Sequence, residues 1–418
     1  MRYGLIGRRL GHSFSPEIHA CIGDYRYELL ELEPEQTADF FRRRDFCGVN
    51  VTIPYKEQII PYLDGLSPAA ARIGAVNTVI NREGKLWGYN TDYAGAMDWI
   101  RRRQVDWRGK KVLLLGSGGA AKTMRAVAED LGAGSIVTVS RSGRPGTVSY
   151  DQAQASHSDA RGLINATPAG MFPDSEGQPM DIAGLPRLTA VFDAIYNPLN
   201  TNLILAAKER GLTAEGGLYM LAAQAVYASR LFLGFDSDPP EGQTEEIYRR
   251  LRRDKENLVL IGMPASGKSL VGKLLAEKTG RRFLDADDWV AQRQGESPAQ
   301  IIRSRGEAAF RRIEKEAIAQ LAEENGCVIA TGGGAVLDGD NMRHLRRNGR
   351  LYFLDRPLAL LQPYDDRPLS ADRQALERLY RQRYPLYCQA AHVRIDAGGP
   401  AEAVCEKILE EFDKCVSW

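Results

Sequence analysis

The chain has 418 residues, 44% of them hydrophobic and 26% charged, which is room for about three folding units of ordinary composition and excludes extensive disorder. Its 55 Lys and Arg balance 54 Asp and Glu, so no global basic face exists to release counterions from nucleic acid. The longest apolar run towards the C-terminal half, Gly216 to Ser229, falls short of the ~20 residues that cross a bilayer.

The N-terminus, MRYGLIGRRL, shows no apolar signal core ahead of a cleavage site. Six cysteines are scattered without a C-x-x-C pair, which points to reduced thiols in a cytoplasmic protein, with neither a zinc site nor a disulfide frame. Short apolar runs follow in order at Tyr3–Ile6, Gly48–Ile53, Lys111–Leu115, Ser135–Val139, Gly162–Asn165, Val191–Ala194, Leu258–Ile261, Val328–Ala330 and Leu351–Leu354. Helical patterns lie between them. Several runs lack polar alternation, as strands covered on both faces do, which predicts α/β architecture with mainly parallel sheets. A basic helix end near Arg101–Gly109 marks one break. The acidic, Pro/Gly-rich Asp236–Gln243 reads as a linker, followed by a short solvated helix in TEEIYRRLRR. Two lobes to about residue 235 and a separate domain from about 257 are expected.

Two glycine loops carry chemistry. Between the strand KKVLLLG and the helix TMRAVAEDLG stand Gly116, Ser117, Gly118, Gly119, Ala120, Ala121 and Lys122. A lone G-x-G is weak, but a tight turn between strand and helix suits a dinucleotide pyrophosphate. About 25 residues on, where an NAD-type fold places an acid on the ribose, the next strand ends in Ser140-Arg141-Ser142. An arginine there accommodates a 2′-phosphate and favours NADP(H) over NAD. The second loop is stronger. Gly262-Met-Pro264-Ala265-Ser266-Gly267-Lys268-Ser269 fits G-x-x-x-x-G-K-[ST], with a strand before it and a helix after. Its backbone N–H groups can cradle phosphates, Lys268 can reach the outer ones, and the Ser269 hydroxyl can ligate Mg2+. ATP or GTP is expected there, with no acceptor specified.

Further motifs name families. GHSFSPEIH (11–19), GVNVTIPYK (48–56), GAVNT (74–78), GYNTD (88–92), INATPAGM (164–171), FDAIYNP (192–198) and GGLYMLAAQA (216–225) together resemble shikimate dehydrogenase over nearly all of 1–235. The resemblance implies Ser13 and Ser15 on the substrate carboxylate. It implies Thr52, Lys56, Asn77, Asp92 and Gln224 around the ring oxygens, with Tyr196 nearby. Lys56 and Asp92 would be the catalytic pair, and Ala194 and Gly217 would border the nicotinamide. Taken singly, Lys56 is an ordinary surface lysine, and Asn77 and Asp92 are ordinary turn formers. His12 and His19 invite an acid–base role but read as local structural residues. Ser117 and Ala121-Lys122 replace the family's usual Ala and Ser-Arg, and Lys122 could add a cofactor-phosphate contact.

Downstream, FLDADDW (283–289), GEAAFRRIE (306–314), TGGGAV (331–336), DRPLS (366–370) and RQRYPLY (381–387) resemble shikimate kinase over essentially all of 257–415. By that resemblance Asp285 lies near Mg2+, and Asp287 binds the acceptor hydroxyl and can act as base. Arg311 and Arg383 clamp the substrate carboxylate, for which arginine has the bidentate geometry. Gly332, Gly333 and Gly334 supply backbone contacts, and Arg367 is the lid arginine reaching ATP. The segment Leu360–Asp366 is shorter than usual and lacks the family's extra basic residue, which leaves Arg367 as the lid's visible cation.

The expected organisation is a two-lobed dehydrogenase-like α/β unit followed by a P-loop kinase with a parallel sheet in three α/β/α layers. Residues 1–104 would form the substrate lobe, completed by a helix at about 218–235. Residues 105–217 would form the NADP-binding Rossmann lobe, 236–256 a linker and 257–418 the kinase. The resemblances imply NADPH reduction of 3-dehydroshikimate to shikimate, then Mg-ATP phosphorylation to shikimate 3-phosphate. Two rivals stay open: one half a nucleotide-sensing module without catalysis, or related polyols such as quinate with NAD. A homodimer is a candidate assembly, and the sequence leaves the oligomeric state open.

Overall fold

The computed structural model describes residues 3–11, 13–235, 238–362 and 372–416. It divides into two compact units, Met1–Leu251 and Arg252–Trp418. The first unit contains two sheets. Strands β1 (Tyr3–Gly7), β2 (Tyr27–Glu31), β3 (Gly48–Val51), β4 (Gly65–Leu66), β5 (Thr78–Arg82) and β6 (Lys85–Tyr89) form one, in the order β2-β1-β3-β5-β6-β4. Pairing is mainly parallel, as expected, and the exception is β5, which runs antiparallel to both β3 and β6. The cause is local. Glu83 and Gly84 between β5 and β6 take φ of 53° and 80°, and two left-handed residues in succession close a two-residue hairpin.

The second sheet is parallel throughout. Strands β7 (Lys111–Leu115), β8 (Ser135–Val139), β9 (Thr147–Val148), β10 (Gly162–Asn165), β11 (Ala190–Asp193) and β12 (Thr213–Gly216) take the order β12-β11-β10-β7-β8-β9. The order reverses between β7 and β10, and ligands in such sheets bind at the strand C-termini beside that reversal. The missing polar alternation has its explanation in burial on both faces. Leu113, Leu115, Leu163 and Val191 enter one apolar cluster, while Val112, Leu114, Ile164 and Phe192 enter another with Trp99 and Trp107.

In the second unit β13 (Asn257–Ile261), β14 (Phe283–Asp285), β15 (Val328–Ala330), β16 (Gly349–Asp355) and β17 (Val393–Asp396) form a parallel sheet ordered β14-β15-β13-β16-β17. Alternate residues again divide between faces. Val259, Ile261, Leu351 and Phe353 pack on one side, and Leu258, Leu260, Tyr352 and Leu354 on the other. The segment expected to be linker and solvated helix differs from that reading. From Gln243 to Lys255 it is one helix, with Thr244, Ile247 and Leu251 buried. Ile247 and Leu251 join the cluster of Phe14, Ile18 and Val226 in the first unit, so its apolar stripe is a packing face. Among the described residues no helix is long and apolar enough to cross a membrane.

At the end of β11, Asp193 is fully buried and accepts bonds from Asn165 Nδ2 (2.9 Å), Thr201 Oγ1 (2.7 Å) and the Ile195 N–H (3.1 Å). Burial outweighs these donors and pushes its carboxyl up to about 7. The folded chain therefore keeps a proton that the unfolded chain releases at about pH 4, and Asp193 lowers stability progressively as pH rises from about 4 to 7. Asp193→Asn should shrink the difference in unfolding free energy between pH 5 and pH 7.5, read from urea titrations; an unchanged difference would refute the assignment.

Phe192 meets the edges of Trp99 and Trp107 at centroid distances of 5.0 and 5.7 Å. Phe192→Ala should cost about 3–5 kcal/mol and lower the first unit's calorimetric midpoint by about 10 °C. A midpoint unmoved by the substitution would show that the site collapses without cost.

Candidate active sites

In the first unit the resemblance's catalytic pair meets. Lys56 lies in the turn after β3, where its carbonyl accepts the Val76 N–H at 2.8 Å. Asp92 lies in the first turn of helix Thr91–Arg101, whose start is capped by Asn90 Oδ1 accepting from the Tyr93 N–H at 3.0 Å. A carboxylate there is favoured by the helix dipole. Lys56 Nζ donates to Asp92 Oδ2 at 2.5 Å, and the side chains are only 16% and 10% exposed. Asn77 Oδ1 accepts from the Thr91 N–H at 2.6 Å, while Asn77 Nδ2 faces Gln224 Oε1 at 3.4 Å. Helix Leu218–Leu233 presents Gln224 by crossing helix Thr91–Arg101 closely: a Cβ on Gly95 would lie 2.8 Å from the Gln224 nitrogen. Only glycine permits that approach.

The same helix packs, through Leu218 and Ala222, against Phe14 and Ile18 around Ser13 and Ser15. Ser13 Oγ donates to Ser15 Oγ at 3.1 Å. Tyr196 hydrogen-bonds Ser13, and burial raises its phenol above the usual range against that bond. Thr52 begins the Lys56 turn, its N–H bonded to the Ile6 carbonyl at 2.9 Å. His19 is fully buried, stacked on Tyr27 at 3.8 Å, and burial lowers it to about 3. Burial thus favours the neutral ring, which is packed among Tyr25, Tyr27 and Phe232. His12 lies outside the described residues.

The dinucleotide turn reaches this pair. Gly116 has φ +110° and lies so near β10's exit that a Cβ would stand 3.0 Å from the Ala166 carbonyl oxygen. Helix Gly119–Asp130 then starts beside Lys56, with 3.3 Å separating a Gly119 Cβ from Lys56 Cβ. Around Gly118 the space is open, as a pyrophosphate requires. Ala194 and Gly217 are back to back, because a Cβ on Gly217 would fall 2.2 Å from the Ala194 carbonyl oxygen. Ser117 Oγ and Ser140 Oγ are 3.2 Å apart, and exposed Arg141 lies close enough to act electrostatically on Tyr150. Sequence reasoning missed Arg144, which donates to the Ser117 carbonyl at 3.1 Å. A second arginine three residues after Arg141 was the available signal. Lys122 pairs here with Glu57 at 2.6 Å, which ties the nucleotide helix to the Lys56 turn.

In the second unit the expected residues also converge at strand C-termini. Ala265 and Gly267 take φ of 64° and 93° in the P-loop, and left-handed residues alternating with right-handed ones turn N–H groups inwards. Lys268 Nζ lies on the Gly262 and Met263 carbonyls at 2.9 Å each. Ser269 Oγ donates to Asp285 Oδ2 at 2.7 Å. These are adjacent hard oxygen donors beside the phosphate loop, and they fit Mg2+. Asp285 Oδ1 caps the next helix by accepting from the Asp287 N–H at 2.9 Å. The glycine run lines the floor, Gly333 against Pro264, Gly334 beneath the Arg311 guanidinium and Gly332 beside Asp287 and Glu314.

Arg383 is buried and donates to the Gly333 carbonyl at 3.0 Å, its Nε without a hydrogen-bond partner among the described residues. Burial lowers its pKa, and the nearby positive charge of Arg311 lowers it further. Arg311 and Arg383 are thus near enough for their charges to act on one another, an arrangement that suits an anionic ligand. Sequence reasoning missed Glu314, whose Oε2 accepts from Arg311 Nη1 at 2.6 Å. Burial pushes its carboxyl up, and Arg311 opposes this. Its i,i+3 spacing from Arg311 was the signal. Arg367 and most of the lid segment lie outside the described residues.

Comparison with known proteins finds relatives for both units. The family model for the shikimate dehydrogenase substrate binding domain matches residues 5–79, and that for shikimate kinase matches 264–413. A shikimate dehydrogenase (NADP(+)) of Clostridium perfringens strain SM101 is 36% identical over 268 residues, covering 60% of this chain and 98% of that protein. Shikimate dehydrogenase 1 from Peptoclostridium difficile superposes with TM-score 0.56 at 32% identity, over 60% of this chain and 98% of its own. The Thermus thermophilus shikimate 5-dehydrogenase, solved with NADP(H) and shikimate, gives TM-score 0.53 at 32% identity, over 60% and 99%. The chain belongs to the shikimate dehydrogenase family and, with the shikimate kinase domain that follows, is a bifunctional enzyme of the shikimate pathway.

Proposed function

We propose that the first unit reduces 3-dehydroshikimate to shikimate with NADPH, and that the second phosphorylates shikimate to shikimate 3-phosphate with Mg-ATP. The observation that carries the reading is Lys56 Nζ at 2.5 Å from Asp92, with the start of the nucleotide helix against the lysine stem. NADPH supplies the hydride when bound, and the nucleotide of the second unit supplies the phosphoryl group. As the ketone carbon gains the hydride, its oxygen gains negative charge, and Lys56 gives that oxygen a proton. Asp92 holds the ammonium in place and stabilises it before transfer. Ser13 and Ser15 bind the substrate carboxylate with Tyr196 behind them, while Thr52, Asn77 and Gln224 orient the ring oxygens. Ala194 and Gly217 form the shelf for the nicotinamide, and Ser140, Arg141 and Arg144 receive the 2′-phosphate.

In the second unit Arg311 and Arg383 grip the shikimate carboxylate, and Gly332–Gly334 set the ring against the floor. Asp287 accepts the proton of the attacking hydroxyl. Ser269 and Asp285 would hold Mg2+, and Lys268 and Arg367 would neutralise phosphate charge. This reading takes 1–104 with the helix at about 218–235 as the substrate lobe, 105–217 as the nucleotide lobe and 257–418 as the kinase.

Feeding 3-dehydroshikimate, NADPH and Mg-ATP should yield shikimate 3-phosphate by mass, and product stopping at shikimate, or none, would defeat one half or both. Lys56→Ala should reduce dehydrogenase kcat by at least about a thousandfold, counting lost acid catalysis and positioning together, with kinase turnover near wild type. Lys268→Ala should do the reverse. Loss of both activities from one substitution in folded protein would refute independent sites.

The double variant Arg141→Ala/Arg144→Ala should raise the KM for NADPH about tenfold or more and leave that for NADH nearly unchanged, consistent with ~1.5–3 kcal/mol per charged hydrogen bond. Equal effects on both cofactors would place the 2′-phosphate elsewhere.

A further inference from the structure

Behind the substrate face of the first unit lies a buried chain of polar side chains that no catalytic step uses. Tyr27 donates its hydroxyl proton to Asn50 Oδ1 at 2.8 Å. Asn50 Nδ2 donates to Thr78 Oγ1 at 3.0 Å and to the Asn77 backbone carbonyl at 3.3 Å. A backbone carbonyl can only accept, so this contact sets which end of the Asn50 amide faces inwards. Thr78 Oγ1 lies 3.2 Å from Asn77 Oδ1 and 3.0 Å from Thr91 Oγ1. The Thr91 N–H, which can only donate, also points at Asn77 Oδ1.

Asn50, Asn77, Thr78 and Thr91 are all buried. Every acceptor direction of the Asn77 side chain is thus engaged from behind. Its Nδ2 keeps one partner inside, Thr91 Oγ1 at 2.9 Å, and a long contact of 3.4 Å to Gln224 on the open side. Buried networks in which each member is satisfied hold a single arrangement, because any flip strands a polar atom.

We infer that Asn50 and Thr78 are positioning residues: their hydrogen-bond chain from Tyr27 fixes the Asn77 amide so that the one Nδ2 hydrogen not given to Thr91 faces the substrate, and this site selects a ligand oxygen able to accept. The inference rests on the dehydrogenase reading above. Asn77 holds the ring in ground state and transition state alike, so loosening it weakens binding without slowing the chemical step. The effect is a raised KM at nearly constant kcat.

The test is steady-state oxidation of shikimate with NADP+ by the full chain. Thr78→Val keeps the side-chain volume and removes the bridging hydroxyl, and Thr78→Ser keeps the hydroxyl. Thr78→Val should raise the KM for shikimate about tenfold, with kcat within about threefold and the KM for NADP+ unchanged, the size of one lost net hydrogen bond plus a stranded partner. Thr78→Ser should return the KM to within about twofold of wild type. Tyr27→Phe removes the first bond and should raise it about threefold, which covers the case in which Thr78→Val does not fold. Wild-type KM in both Thr78→Val and Tyr27→Phe, or parallel rises for shikimate and NADP+, would overturn the inference and leave the site reading standing. Wild-type protein that binds NADP+ but oxidises no shikimate would overturn that reading and this inference with it.

Discussion

An ammonium and a carboxylate 2.5 Å apart, largely withdrawn from water, are what the first unit is arranged around. Two such charges do not stay together in a cleft on attraction alone, since removing both from water costs about as much as their contact returns. The surroundings must hold them. The Asp92 end is fixed by a capped helix start whose dipole favours negative charge. The Lys56 end is fixed by a turn bonded to residue 76. Between them, the close crossing at Gly95 places Gln224 within reach, which makes one missing side chain as consequential as the charged ones.

The second unit meets a similar demand with other residues. The proposed carboxylate grip brings two guanidiniums near one another, and like charges in partial burial repel. Glu314 and Glu307 on the helix of Arg311 balance that cation, at 2.6 and 2.9 Å, while a backbone carbonyl of the glycine run holds Arg383. The glycines take part physically. Any side chain on Gly334 would occupy the volume of the Arg311 guanidinium, and any on Gly333 would strike the phosphate loop at Pro264. Absence of side chains there lets the phosphate loop and the glycine run touch.

Both nucleotide loops follow one logic on different sheets. A parallel strand ends, the chain turns through left-handed residues, and a helix begins with unpaired N–H groups and a positive dipole end. Gly116 and Gly267, with φ of 110° and 93°, are where that turn needs glycine. Ala265, at φ 64°, shows that the P-loop keeps one left-handed residue that is not glycine. Such strain is kept where the surrounding structure over-determines it, as at ligand sites.

Much of this was legible in the chain itself, because the signals are local. Apolar runs without polar alternation marked strands buried on both faces, and glycine loops between strand and helix marked phosphate sites. Spacing within a short motif singled out Lys268 and Ser269, and distance from the first glycine loop singled out Arg141. What folding alone decided is pairing over distance. Residues 36 apart in sequence had to be brought within a hydrogen bond before Lys56 and Asp92 became a pair rather than a surface lysine and a turn former. The antiparallel β5–β6 hairpin, the packing face hidden in Gln243–Lys255, the Glu314 support of Arg311 and the chain from Tyr27 through Thr78 to Asn77 share that character. Each depends on which side chains become neighbours once water is excluded, and composition and periodicity describe one segment at a time.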